Sequence, residues 1–301
     1  MTHALKAAEA NHALKAALWM TGAIVSFSTM AVAGRFVRTE LDTFEVMLYR
    51  SLVGVVLVLL VGGMAGTLGQ ISRRRMGVQL IRNMFHFTGQ NLWFYGVTLI
   101  PLAQLVALEF SSPIWVAVLA PLLLGEIMTR SKLIGALIGF LGVLIVARPG
   151  IAPLETGHFA GLGAAIGFAM SLLFTRKLRR TDTTLCVLFW MTASQTVMGF
   201  AIAAVFGLSL FSLPMLPWII VVGIAGLSAH FCLTSALGHA PASIVSPMEF
   251  ARLPLIAVVG MIIYGEPLEV FVFLGGAVIL AGNLYNIRGE RRARRAGAVA
   301  G

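Results

Sequence analysis

The chain has 301 residues, 58% of them hydrophobic and only 11% charged, with mean hydropathy +0.92 and a formal net charge of +10. A soluble domain carries about a quarter charged residues, so the composition is that of a membrane protein. Apolar runs of about 20 residues recur from end to end and do not alternate, which points to bilayer-crossing helices and argues against a β-barrel.

Taken in chain order, ten spans are predicted, at 17–36, 44–64, 78–99, 102–124, 132–148, 158–175, 184–207, 215–237, 242–264 and 268–287. The first run ends in Ala31-Val32-Ala33-Gly34, which resembles the cleavage site of a signal peptide. An internal repeat argues for its retention. Gly22 to Arg38 matches Gly163 to Arg179 at an offset of 141, with Gly22/Gly163, Ala23/Ala164, Phe27/Phe168, Arg35/Arg176 and Arg38/Arg179 identical. The same duplication organises the fourth and ninth spans. Pro101 to Glu126 returns as Pro241 to Glu266 at an offset of 140 without a gap, with Glu109/Glu249, Phe110/Phe250, Gly125/Gly265 and Glu126/Glu266 among the identities. Five spans fall in each copy, and the Pro- and Gly-rich link from Arg148 to Thr156 joins them.

Lys and Arg set the expected orientation. With a cytoplasmic N-terminus, 17 of the 22 basic residues lie inside, 3 (Arg35, Arg38 and Arg148) lie outside, and Arg50 and Arg252 lie within spans. The net charge therefore reads as topology rather than as a nucleic-acid surface. An odd number of helices per copy makes the second copy cross in the opposite sense, a common build for secondary transporters with a site near the midplane. The expected fold is an all-α polytopic membrane protein of ten transmembrane helices. It consists of two inverted five-helix repeats, 17–148 and 158–287, and a basic cytoplasmic tail, 288–301, with both termini cytoplasmic.

Ionisable groups cost at least about 2.5–3.5 kcal/mol in a span and normally face the bundle interior. Glu109 sits mid-span with no cation on its own helix, whereas its repeat partner Glu249 has Arg252 three residues on, at pairing distance along one helix face. An unpaired Glu109 suits proton coupling or an amine contact. In the third span Asn83, His86, Gln90 and Trp93 form one helical stripe, and His230 stands at the level of Gln90 in the second copy. These eight residues, Glu109, His86, Gln90, Asn83, Trp93, Glu249, Arg252 and His230, are the candidate substrate or coupling residues. Interhelical hydrogen bonding, worth about 0.6 kcal/mol per contact, is the structural alternative for the polar stripe. Arg50 is expected to snorkel, with neutralisation of Glu109 as its alternative. Pro113, Pro121, Pro247 and Pro254 interrupt the fourth and ninth spans. Cys186 and Cys232, both in apolar stretches, read as inert core thiols.

No phosphate-binding loop, zinc-protease motif, nucleophile elbow or potassium-filter sequence is present, so no cofactor, metal or enzymatic activity is expected. The W-x-Y followed by PLA (Trp93, Tyr95, Pro101–Ala103), the mid-helix Pro113 and the closing Gly125-Glu126 return in part as Pro241, Pro254 and Gly265-Glu266. This doubled set resembles the drug/metabolite transporter superfamily, and within it the ten-helix transporters built from two EamA domains. The resemblance covers nearly the whole chain. It implies a central cavity and inner-membrane export of amino acids or other small polar metabolites, commonly driven by protons. Uptake of a vitamin or nucleoside-like aromatic, with Trp93 and Trp115 as stacking platforms, is the alternative, and a non-transporting scaffold or lipid-handling protein is the rival class. Four-helix multidrug relatives carry a first-helix glutamate that this chain lacks, so Glu109 would have to take that role. The expected partners are a small-molecule substrate, the lipid bilayer and protons as coupling ion, without nucleic acid.

Overall fold

In hydrocarbon each backbone amide must find its partner within its own segment. Uninterrupted apolar sequence therefore dictates helices. The protein is described by a computed structural model covering residues 2–125, 127–240, 245 and 248–299. The described residues form α1 (Thr2–Val37), α2 (Thr43–Met64), α3 (Met76–Gly96), α4 (Leu102–Glu109), α5 (Ser112–Leu124), α6 (Arg130–Ala147), α7 (Thr156–Leu178), α8 (Thr184–Phe206), α9 (Leu216–His239), α10 (Arg252–Tyr264) and α11 (Val270–Val299). They include no strand.

Eight stretches are long and apolar enough to cross a membrane, one of them the combined α4 and α5. α10, with 13 residues, is shorter. α3 has 21 residues but does not qualify, because Arg82, Asn83, His86, Gln90 and Asn91 dilute its hydropathy. Residues 242–244, 246 and 247 of the predicted ninth span, Pro247 among them, lie outside the described residues, as does Pro241 just before it.

The fourth span breaks where its proline requires it. A proline ring clashes with the carbonyl four residues back. For Pro113 that residue is Glu109, where α4 ends, and Pro113 then sits in the first turn of α5. For Pro254 it is Phe250, which lies in the turn that precedes α10. Both copies thus interrupt the helix just after the glutamate, with the following phenylalanine in the turn. Each also ends on a left-handed glycine, Gly125 and Gly265, both with φ 66°. A side chain there costs about 1–2 kcal/mol. Gly265→Ala is expected to destabilise the detergent-purified protein by about 1 kcal/mol. Gly238→Ala, on the exposed side of α9 with open space around it, is expected to leave the melting temperature unchanged or raise it.

The helices pack in pairs drawn one from each half of the chain: α1 with α9, α3 with α7, α2 with α8, and α6 with α11. Glycines set the closest pair. A Cβ on Gly142 would lie 2.6 Å from the Gly275 carbonyl oxygen, and one on Gly135 would lie 2.8 Å from that of Gly282. Residue numbers rise along α6 as they fall along α11, so the two helices run antiparallel. The apolar core runs through the middle, from Phe27 and Met30 across Phe94, Leu105 and Leu108 to Leu253, Ile256 and Ile279.

Candidate functional site

Two helix breaks face one another at the centre of the bundle. Glu109 closes α4 and Arg252 opens α10, and Arg252 Nη2 lies 2.7 Å from Glu109 Oε1. Each charge stands at a helix end whose partial charge has its own sign, so each needs the other. Glu109 Oε2 accepts from Trp93 Nε1 at 2.9 Å. The guanidinium is held between the rings of Phe27 and Phe110, at 4.9 and 5.0 Å. Phe110 in turn meets its repeat partner Phe250 with ring centroids 4.4 Å apart.

This corrects two expectations. Glu109 is paired, and Arg252 pairs with it rather than with Glu249. The turn at Phe250–Ala251 separates Glu249 from α10, so the two no longer share a continuous helix face. Glu249 has no ion pair or hydrogen bond among the described residues. Trp93 is 3% exposed and committed to Glu109, so its ring is not free to stack. Trp115 packs with Ala169 and Leu173 of α7 instead of facing the pair.

A second polar cluster lies at mid-height on α2, α3, α8 and α9. His86 and His230 have ring centroids 5.4 Å apart, and His86 Nδ1 is 2.8 Å from Gln195 Nε2. The Phe27 ring, 5.6 Å from His230, links this cluster to the ion pair. Buried atoms here without a hydrogen-bond partner among the described residues include His86 Nε2, His230 Nε2, Gln90 Oε1 and Gln195 Oε1. Such atoms are rare in a settled interior and leave hydrogen-bonding capacity unused at the centre of the bundle. Asn83 belongs to the scaffold instead. It accepts from Arg82 Nη1 at 2.9 Å and donates to the Trp190 carbonyl at 2.8 Å, tying α3 to α8.

Sequence reasoning missed three members. Gln195 stands in an apolar span and at the position of Gly54 in the first copy, so the repeat gave it no weight. Arg82, counted with the cytoplasmic charges, is 6% exposed and bonds Thr175 Oγ1 at 3.1 Å. Arg50 does not snorkel: it is 5% exposed, with its guanidinium laid against Gly226 of α9. Glycine at 226 is what permits that inward course.

One end of the bundle is fastened across the two halves. Arg35, in the last turn of α1, pairs with Glu266 and also donates to the carbonyls of Val97 and Ile100. Glu266 Oε2 accepts from the Leu102 amide at 2.9 Å, and Tyr264 Oη donates to the Val32 carbonyl at 2.9 Å. Arg148 and Gln104 both reach Glu269. Arg176, the counterpart of Arg35, is exposed near the other end, without an ion pair among the described residues. Its expected counterpart of Glu266, Glu126, lies outside the described residues. A larger crevice of about 220 Å³ between α1 and α9 has mostly apolar walls such as Val25 and Ile224 and none of these polar groups, so it reads as a lipid-facing groove. Among the described residues no three His, Cys, Asp or Glu gather closely enough to hold a metal ion.

Residues 14–148 and 155–288 each match the EamA-like transporter family. The chain belongs to that family. Its EamA-type repeats cover nearly all of the chain, and the protein is a multi-pass membrane transporter. It is 24% identical to an S-adenosylmethionine uptake transporter of Rickettsia bellii over 91% of this chain and 94% of that one. It is also 24% identical to a riboflavin transporter of Rhizobium johnstonii over 96% of each. Among solved structures, one described as "Crystal structure of protein" superposes with a TM-score of 0.64 at 19% identity, covering 92% of this chain and 98% of the other, a likeness of fold. EamA-like members and these relatives are transporters rather than enzymes.

Proposed function

We propose that the chain is a secondary uptake carrier of the bacterial inner membrane for a nucleoside-like or vitamin-like aromatic metabolite. The observation that carries this reading is the buried polar centre, where unsatisfied donors and acceptors lie beside the rings of Phe27 and Phe168. The end-to-end match to carriers of S-adenosylmethionine and riboflavin supports it. The export of amino acids expected from the sequence has less support, because the S-adenosylmethionine relatives are named for uptake. Glu109 and Arg252 bind or gate as a pair in this reading, His86, Gln90, His230 and Gln195 supply hydrogen bonds, and Glu249 takes a proton or a cationic group. The fold proposed with it has ten spans, two inverted halves at 17–148 and 158–287, cytoplasmic termini and the basic tail 288–301. The antiparallel glycine contacts of α6 with α11 and the meeting of Phe110 with Phe250 support the inversion. The end fastened by Arg35 and Glu266 is then periplasmic.

The test supplies radiolabelled S-adenosylmethionine or riboflavin to cells carrying wild type or Glu109→Gln at matched membrane levels. Saturable accumulation of one compound is expected, at least about tenfold above the variant. A protonophore should reduce it if Glu249 carries the coupling proton. Uptake indistinguishable from the variant for both compounds would overturn the reading, and faster loss of preloaded label with wild type would restore export.

A further inference from the structure

Arg50 is a cation in the polar centre that this reading leaves without a task. It lies well inside α2, eighth of its 22 residues. Buried charges in a membrane protein are paired, or they face a substrate path. Arg252 has Glu109; Arg50 has no carboxylate within ion-pair distance among the described residues, and its Nε is buried without a hydrogen-bond partner. Its surroundings add a second cation, Arg82, rather than a carboxylate. Arg82, His86 and His230 all lie within electrostatic range of Arg50. The site is also shaped. A Cβ on Gly226 would come within 2.8 Å of Arg50 Nε and Nη2, so the glycine is a cradle for the guanidinium. Beside it is a cavity of about 10 Å³ lined by Arg50, Ser51, Gly54, Thr192, Met191 and Gly223. That is room for one water-sized group, so a single oxygen of an anionic group fits it and a ring system does not.

We infer that Arg50 is an anion anchor, the residue that takes a small anionic group, either a carboxylate carried on the substrate or a free monovalent anion moved with it. This rests on the uptake reading for its role in transport, but the binding chemistry stands on the geometry alone. A guanidinium presents paired donors that match a carboxylate, and the Ser51 and Thr192 side chains line the same cavity. Where the anionic group is the substrate's own, the chain favours a carboxylate-bearing nucleoside-like compound over a neutral one.

The binding arm measures the melting temperature of detergent-purified full-length protein against acetate, at constant ionic strength held by a bulky sulfonate buffer. Wild type is expected to be stabilised saturably, and Arg50→Gln is expected to lose that response. Gly226→Ala, which keeps the charge and crowds the guanidinium, is expected to need about tenfold more acetate, and it carries the arm should Arg50→Gln not fold. Equal acetate responses in wild type and both variants, or none in wild type, would overturn the inference. The transport arm compares S-adenosylmethionine with its decarboxylated analogue in chloride and in chloride-free medium. Loss of uptake in Arg50→Gln for the first compound alone, with chloride competing in wild type, identifies the substrate carboxylate. A chloride requirement that vanishes in Arg50→Gln identifies a co-transported anion. If wild type carries neither compound and no riboflavin, the uptake reading fails while the acetate result still decides Arg50.

Discussion

Arg252→Leu is expected to lose transport and to melt well below wild type, the largest effect of any single substitution at the centre. It strands Glu109, whose side chain is only 15% exposed, beside apolar rings. Removing one partner of a buried pair costs about 3–5 kcal/mol, because the other charge keeps its desolvation without compensation. The double variant Glu109→Gln/Arg252→Gln removes both charges and is expected to recover most of the stability, while transport stays at background. Melting temperature and uptake, read on wild type, Glu109→Gln, Arg252→Gln and the double variant, form a double-mutant cycle. If the double variant transports normally, the pair is a packing device. If the stability losses simply add, Arg252 and Glu109 are not partners.

Gly142→Leu is expected to leave little folded protein. Its Cβ would meet the Gly275 carbonyl at 2.6 Å, Ile279 Cγ1 at 2.7 Å and the Ile279 amide nitrogen at 2.8 Å, and the two backbone atoms cannot move aside as a side-chain tip can. Small residues let membrane helices approach closely, and α6 and α11 depend on this at both Gly135 and Gly142. Inserting volume into a packed interface costs about 1–3 kcal/mol, and against backbone on two sides the upper figure applies. Gly77→Ala, in the first turn of α3 with nothing within 4 Å of its Cβ, controls for intrinsic helix propensity and is expected to be neutral or mildly stabilising. The checks are monodisperse yield after membrane extraction and the melting temperature of what remains.

The repeat and the apolar runs made most helices legible, because both follow from local sequence. The break after Glu109 was legible as well, since Pro113 specifies it through a clash four residues back. The pairing of Glu109 with Arg252 was not. Along the chain Arg252 is three residues from Glu249, and a helical reading joins those two; only the turn at Phe250–Ala251 and the packing of α4 on α10 bring the other carboxylate to it. Arg50 misled for a related reason. Its course is decided by Gly226, a residue 176 positions away in the chain, and local sequence cannot say whether a long side chain reaches outward or inward. Gln195 carried no charge and no repeat partner to announce it. The Gly-Glu that closes each copy was visible as a motif, but the role of Glu266, holding Arg35 and the Leu102 amide, is a matter of tertiary placement.

The fastening at one end has a consequence for turnover. Arg35 and Arg176 occupy the same position in the two copies, yet among the described residues Arg35 is ion-paired and Arg176 is not. Contacts that hold one end more firmly than the other would bias the carrier toward this arrangement. If the Arg35–Glu266 contacts contribute about 1.4 kcal/mol more than whatever forms in the opposite arrangement, about ten carriers wait in this arrangement for each one in the other. Ligand arriving from the disfavoured side then meets a binding-competent fraction of roughly a tenth, and its apparent affinity falls by that factor. The unloaded return stroke must break the same contacts, so a variant such as Glu266→Gln trades a faster return for a weaker preference between sides.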